Sequence, residues 1–333
     1  MNKNLNQAQY FAAIDIGSNA VRMALAEFHG KYLKVTHSWR SFLRLGQDVF
    51  QSGEISRCSS NTLSEILEQF LDYLKEYSNI EILPVATSAM RDAKNQQTVI
   101  GQIKENLGLQ VKVISGAEEA DYILTVVQDV VSWGRERVIL ADLGGGSLEI
   151  SVLQGTDVLF KKSFDWGVLR LLKLEDRPKH LFLYKLEQQL KKELDQYIIP
   201  DMHLILSGGP AKIWARLIHA QQFPERKADK LFTLSWQSFI HSQGILLKKE
   251  AEHSIFEEKL RPEQAEMLIP SFHIFEQIGK VSLCKKITVP FVGLKEGVLL
   301  KRVRQESPDV RIESQSDISL QGSSHLTLTK VYD

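Results

Sequence analysis

Apolar positions along this chain alternate between short continuous runs and runs at helical spacing, the pattern of an α/β protein. Residues 138–141, Val-Ile-Leu-Ala, form a β-rich run that ends in Asp142. Leu143, Gly144, Gly145, Gly146, Ser147, Leu148 and Glu149 follow directly. This predicts a buried strand feeding a tight glycine turn. The same writing occurs earlier, in residues 11–19, where an apolar run leads to Asp15, Ile16, Gly17, Ser18 and Asn19. The echo continues past both turns. After Asn19 an apolar run reaches Phe28, a turn falls at His29-Gly30, and an extended run reaches His37. After Ser147 a run reaches Leu153, a turn falls at Gln154-Gly155, and another run reaches Phe164. Self-similarity of this kind predicts two related α/β domains facing each other across a cleft, each with one aspartate and one glycine turn.

The pattern between the two copies predicts further elements. Residues 40–60 read as a loop punctuated by Gly46 and Gly53. An amphipathic helix follows, with Leu63, Ile66, Leu67, Phe70, Leu71 and Leu74 on one face and Thr62 and Glu65 spaced as a capping box. Strands are predicted at 81–86 and 111–114. The first runs into the small-residue turn 87–92, which carries Arg91 at a strand's carboxyl end, where α/β folds place ligand groups. The second runs into Ser115, Gly116, Ala117, Glu118 and Glu119. Ser115 and Glu118 stand three apart at a helix start, so Glu118 is assigned to the cap. Glu119 has no such task and is assigned to chemistry.

Beyond the second copy come a small turn at 166–170 carrying Arg170 and a helix with Leu183, Leu186, Leu190, Leu194 and Tyr197 at core spacing. A short strand at 203–206 opens a third glycine turn, Ser207-Gly208-Gly209-Pro210, and a helix through Trp214 and Leu217. A charged loop is expected at 223–229. Helices are expected at 237–248 and 263–277, the second kinked or broken at Pro270. A strand at 287–291 and a last helix through Leu299 and Leu300 precede a Ser-rich segment from Gln305, read as a weakly ordered tail. The domains are therefore placed at 1–125 and 126–304, with the helix at about 293–304 packing back on the first and 305–333 as the tail.

Composition narrows the function. Lys+Arg and Asp+Glu are both 41, a formal net charge of zero, which argues against a general nucleic-acid or membrane-surface binder. The lysine pairs at 161–162, 191–192, 248–249 and 285–286 are dispersed and form no long basic run. Cys58 and Cys284 fit neither a metal spacing nor a disulfide framework. The polar N-terminus and the lack of any membrane-length apolar run predict a cytoplasmic protein without membrane contact. Glycine turns expose backbone N–H groups, a common way to hold phosphate. Acids beside a phosphate require a cation between them, and Mg²⁺ suits carboxylate oxygens and retained waters. An ordinary glycine turn after a core strand would explain one such motif; it does not explain two.

Taken together, the motifs resemble the exopolyphosphatase and guanosine pentaphosphate phosphohydrolase family, of the actin-like ATPase superfamily. The matching stretches are 13–19 with Arg22, 86–91 with Asn95, 113–120, 142–149, 167–171 and 293–297, in order over most of the chain. The resemblance implies an α/β fold of two ribonuclease-H-like domains flanking a catalytic cleft. It implies release of terminal orthophosphate from inorganic polyphosphate, or removal of the 5′ γ-phosphate of guanosine pentaphosphate, with Mg²⁺. A phosphotransferase and a non-catalytic phosphate sensor are the readings from other classes. It further implies Glu119 as general base, and Asp15, Asp142 and Glu149 as metal-site acids. Gly17, Ser18 and Asn19 with Arg22, Arg91, Gly144, Gly145, Gly146 and Ser147 become the phosphate-binding groups. No nucleic-acid partner is implied, and a homodimer is left open. The chain departs from the family pattern at Leu148, where Thr is usual, at Pro210, where Thr is usual, and at Gln264-Ala265-Glu266, where Arg-Ala-Asp is frequent. Longer members carry an additional C-terminal helical domain, which this chain is expected to lack.

Overall fold

The computed structural model describes residues 9–173, 179–222, 231–251, 260–314 and 329–331. From the start the chain forms β1 (Gln9–Ile16), β2 (Ala20–Phe28), β3 (Tyr32–Phe42), α1 (Leu45–Ser52), α2 (Arg57–Leu74), β4 (Ile80–Ala86), α3 (Ser88–Asp92), α4 (Gln96–Leu107), β5 (Lys112–Val113) and α5 (Gly116–Val130). Next come β6 (Arg137–Leu143), β7 (Leu148–Gln154), β8 (Asp157–Phe164), α6 (Val168–Leu172), α7 (Lys179–Leu194), a 3₁₀ turn at Asp195–Tyr197, β9 (Met202–Ser207), α8 (Gly209–Gln222), β10 (Leu231–Ser235), α9 (Trp236–Ala251), α10 (Pro262–Val281) and β11 (Cys284–Pro290). The last described elements are α11 (Leu294–Arg304), β12 (Arg311–Ser314) and β13 (Thr329–Val331).

The chain divides into two compact units. One comprises Met1–Val130 with Val292–Asp333, the other Val131–Phe291. The first holds the sheet β12-β3-β2-β1-β4-β5, with β13 also on β3, and the second holds β10-β11-β9-β6-β7-β8. In each, a three-strand antiparallel meander is extended by two parallel strands: β3-β2-β1 then β4 and β5, and β8-β7-β6 then β9 and β11. Each unit thus has the ribonuclease-H-like strand order, written twice in one chain.

Local chemistry accounts for the elements. β1 alternates Ala12, Ile14 and Ile16 towards the core built with Leu63, Leu67 and Phe70 of α2, leaving Phe11, Ala13 and Asp15 for the other face. That other face is covered by α11, whose Val298, Leu299, Leu300 and Val303 are buried. The helix expected from Thr62 starts five residues earlier, at Arg57, because Ser56 is the cap and its hydroxyl accepts from the Ser59 amide. The 40–60 region holds the end of β3 and all of α1, which the glycines at 46 and 53 had obscured. α10 runs through Pro270 without a break. It is buried along most of its length, and packing outweighs the one missing backbone donor. The 223–229 loop lies outside the described residues. So does most of the segment after 314, but residues 311–314 form a strand parallel to β3, with Val310 and Ile312 buried.

Candidate active site

The two glycine turns are the same object. In the first unit the Gly17 amide donates to the Ala20 carbonyl at 3.1 Å, and in the second the Gly144 amide donates to the Ser147 carbonyl at 3.0 Å. The strand pairs flanking them correspond: Ile16↔Val21 and Asp15↔Arg22 against Leu143↔Leu148 and Asp142↔Glu149. Arg22 is therefore the counterpart of Glu149. The Gly17 and Gly144 amides close the turns, so the donors left for a phosphate are at the tips.

The carbonyls of the second turn are held from behind by the start of α6. Val168 N donates to Gly144 O at 3.2 Å, Leu169 N to Gly145 O at 2.8 Å, and Arg170 Nε to Gly146 O at 2.7 Å. In a trans peptide the C=O and the following N–H point in opposite directions. Fixing three successive carbonyls on the α6 side therefore aims the amides of Gly145, Gly146 and Ser147 away from it. Gly167 makes this seating possible: a Cβ there would lie 2.3 Å from the Gly146 carbonyl carbon and 2.4 Å from Gly145 O. The first turn has a weaker version, in which the Gly46 amide of α1 donates to Ser18 O at 2.8 Å. Ser18 Oγ accepts from the Ala89 amide at 3.1 Å and lies 3.3 Å from Ser88 Oγ. Asn19 is buried, and its Oδ1 has no hydrogen-bond partner among the described residues.

Across the sheets, each turn ends a row of polar side chains. In the first unit the row is Arg40, Arg22, Asp15, and Arg22 Nη1 donates to Asp15 Oδ2 at 2.9 Å. In the second it is Ser163, Glu149, Asp142, Ser207, and Ser163 Oγ donates to Glu149 Oε1 at 2.7 Å. Duplication has given one hairpin an ion pair and the other two buried acids side by side. Asp15 is neutralised by its arginine, so it differs in electrostatic setting from Asp142 despite the matching sequence.

At the start of α5 the two glutamates separate. The Ser115 amide donates to Glu118 Oε2 at 2.9 Å, and the Glu118 amide donates to Ser115 Oγ at 3.2 Å, a reciprocal cap. Lys112 Nζ donates to Glu118 Oε1 at 2.7 Å. That lysine first, then the Ser115 amide, lowers the Glu118 carboxyl to about 2. Glu119 points inward and is 7% exposed. Arg91 Nη1 stands 3.7 Å from Glu119 Oε2 and donates to the Ile114 carbonyl at 2.9 Å, which fixes the guanidinium beside the acid. Asn95, the other polar residue of that motif, clamps the backbone of Ile55 through both its side-chain atoms, at 3.0 and 2.8 Å.

The 293–297 motif has a structural explanation. Glu296 accepts from the Gly293 amide at 2.8 Å, capping α11, and pairs with Lys295, which also donates to Ser38 Oγ at 3.0 Å. The departures from the family pattern also find places. Leu148 is fully buried opposite Leu143, on the other sheet face from Glu149, so no hydroxyl has been lost beside the acids. Pro210 is the second residue of α8, where no intrahelical donor is needed. Gln264 accepts from the Arg261 amide at 3.0 Å and caps α10.

Among the described residues no three His, Cys, Asp or Glu side chains form a complete metal cage. Asp142 and Glu149 are adjacent, buried carboxylates, which fits Mg²⁺, an ion that takes one or two carboxylates and keeps waters. Sequence reasoning passed over Ser163, Ser88 and Ser207. Ser207 was visible only as the first residue of the third glycine turn, and the strand register that puts it beside Asp142 has no local sequence signal.

Comparison with known proteins bears on the fold and the family. A model of the Ppx/GppA phosphatase family matches residues 25–306. Exopolyphosphatase 1 of Mycobacterium tuberculosis is 26% identical over 201 residues, 59% of this chain and 58% of that protein. The chain thus matches under two thirds of the length of that relative. An exopolyphosphatase structure from Cytophaga hutchinsonii superposes with a TM-score of 0.78 at 24% identity, covering 89% of this chain and 98% of the other. The Aquifex aeolicus member of the Ppx/GppA family gives 0.72 at 24% identity, covering 90% and 99%. With the motifs in order, the ribonuclease-H-like fold written twice and a family match across most of its length, the chain belongs to the Ppx/GppA phosphatase family.

Proposed function

We propose that this protein hydrolyses terminal phosphoanhydride bonds of inorganic polyphosphate, releasing orthophosphate, with Glu119 as the general base. The observation that carries the reading is the division of labour on α5. Glu118 is fully occupied as a cap, whereas Glu119 is buried with the Arg91 guanidinium 3.7 Å from its carboxylate. A carboxylate so placed accepts a proton from an attacking water at Oε2, and Arg91 offsets negative charge carried by the substrate. The tip amides of the glycine turns and Arg22 are donors suited to phosphate oxygens. Asp142 and Glu149 would hold Mg²⁺, which neutralises charge developing on the phosphoryl oxygens. Ser163 keeps Glu149 oriented for that task.

Orthophosphate release is the deciding measurement, with short polyphosphate, long polyphosphate and guanosine pentaphosphate compared in Mg²⁺ and in excess chelator. Cation-dependent release from polyphosphate is expected. Faster release from guanosine pentaphosphate would reassign the substrate. Transfer from ATP to an added acceptor would reassign the reaction, and no release from any of the three would leave a phosphate sensor.

A further inference from the structure

We propose that the Ser207 hydroxyl is an outer-sphere ligand of a hydrated divalent cation held by Asp142 and Glu149. Ser207 is the last residue of β9 and is fully buried. Its Oγ has no hydrogen-bond partner among the described residues. A buried hydroxyl left so is a net cost to the fold and calls for an explanation. On a strand, the hydroxyl has no carbonyl one helical turn back to bond to, the usual escape for a helical serine.

The register supplies the explanation. Ser207 pairs with Asp142 across the parallel β6–β9 ladder, and Asp142 pairs with Glu149 across the antiparallel β6–β7 ladder. Paired residues share a sheet face, so the hydroxyl stands on the flank of the acid pair opposite Ser163. The backbone is pressed close at this point. Gly208 has φ +99°, and a Cβ on it would lie 2.2 Å from the Leu143 carbonyl oxygen, so a glycine is needed where the end of β9 passes the end of β6. Ser163 already bonds one carboxylate oxygen of Glu149. Two carboxylates leave most of the coordination shell of a small hard cation to water. Those waters need acceptors or donors of their own, and Ser207 is placed to supply one. The corresponding residue of the first unit is Val85, beside the ion-paired Asp15, where no cation is needed. The hydroxyl thus goes with the acid pair and not with the turn itself.

The inference rests on Asp142 and Glu149 being a cation site, and the experiment separates the two. Mn²⁺ alone, an ion of similar oxygen preference, is titrated into the full chain and followed by electron paramagnetic resonance of the free ion. Ser207→Ala is expected to weaken Mn²⁺ binding about tenfold, as loss of an outer-shell partner does. In metal-free buffer its thermal midpoint should equal or exceed that of the unsubstituted protein, because the hydroxyl has no partner to lose. Equal Mn²⁺ affinity in the two proteins would overturn the role of Ser207 alone. A metal-free midpoint several degrees lower in the variant would also overturn it, by revealing a structural bond. Failure of the unsubstituted protein to bind Mn²⁺ would overturn both this inference and the cation site beneath it.

Discussion

Glu118 and Glu119 differ by about 100° of helix rotation, and that angle sends one to the cap and the other inward. Glu119→Gln keeps the shape and removes the base, so turnover should fall on the order of a hundredfold or more while polyphosphate binding persists. Glu118→Gln should leave turnover within a few-fold. Steady-state kinetics with a binding titration for each variant checks this, and a crippled Glu118→Gln beside a mild Glu119→Gln would reverse the assignment. Arg170 is a positioning residue of another kind. Its Nε holds the Gly146 carbonyl and thereby aims the Ser147 amide. Arg170→Ala should lower kcat/KM on the order of tenfold to a hundredfold, because small misplacements of binding groups are costly. Circular dichroism and the unfolding midpoint should change little, and Arg170→Lys should not restore the rate, since a point charge lacks the planar Nε–H. Full activity in Arg170→Ala would mean that Val168 and Leu169 orient the turn by themselves.

Among the elements, β12 shows how a stretch without a pattern becomes ordered. Asp129, at the end of α5, accepts from Arg304, from Arg311 Nη1 at 3.1 Å and from the Ile312 amide at 2.9 Å. The carboxylate is almost wholly buried and ties α5, α11 and β12 together. Asp129→Ala should cost about 2 kcal/mol or more in urea unfolding, through the stranded Ile312 amide and the lost charge partner, and should open residues 305–314 to limited proteolysis. An unchanged midpoint would show that the apolar contacts of Val310 and Ile312 hold the strand alone. The sequence made strong local periodicity legible: both hairpins, the helix bearing Leu63 to Leu74, the core stripe of α7 and the strands carrying Asp15 and Asp142. The Ser115–Glu118 cap was legible too, since both partners lie within one turn. What escaped depends on distant partners. α1 is a single short helix seated by the Ser18 carbonyl, Ser56 outcompeted Thr62 as a cap, and β12 takes its order from an aspartate far back in the chain. The Asp142–Glu149 pair was written in one motif, but the Ser163 and Ser207 flanks exist only through strand register.

Over the whole molecule, the two units differ in how the chain builds them. The second is continuous, Val131–Phe291, whereas the first needs its C-terminal part, because α11 and β12 return to it. Residues 131–291 expressed alone should therefore unfold cooperatively. Residues 1–130 alone should not, since Phe11, Ala13 and Ala24 would lose the helix that buries them. The second unit also carries its own pH signature. His203 lies buried in central strand β9, bonded through Nε2 to Thr288 Oγ1 at 2.9 Å. Burial, with some repulsion from Lys286, pushes its imidazole down from 6.5 to about 4. The folded form thus binds the proton less readily than the unfolded chain. Stability from this group is full above pH 6.5 and is lost as pH falls from 6.5 towards 4. The loss approaches 1.4 kcal/mol per pH unit at most, on the order of 2 to 3 kcal/mol across the window. Urea unfolding of 131–291 at several pH values should show this slope, and His203→Gln should flatten it. A slope that persists in His203→Gln would place the titration on carboxylates instead. Absence of a cooperative transition in 131–291 at any pH would mean that the second unit, for all its continuity, cannot hold its sheet without the first.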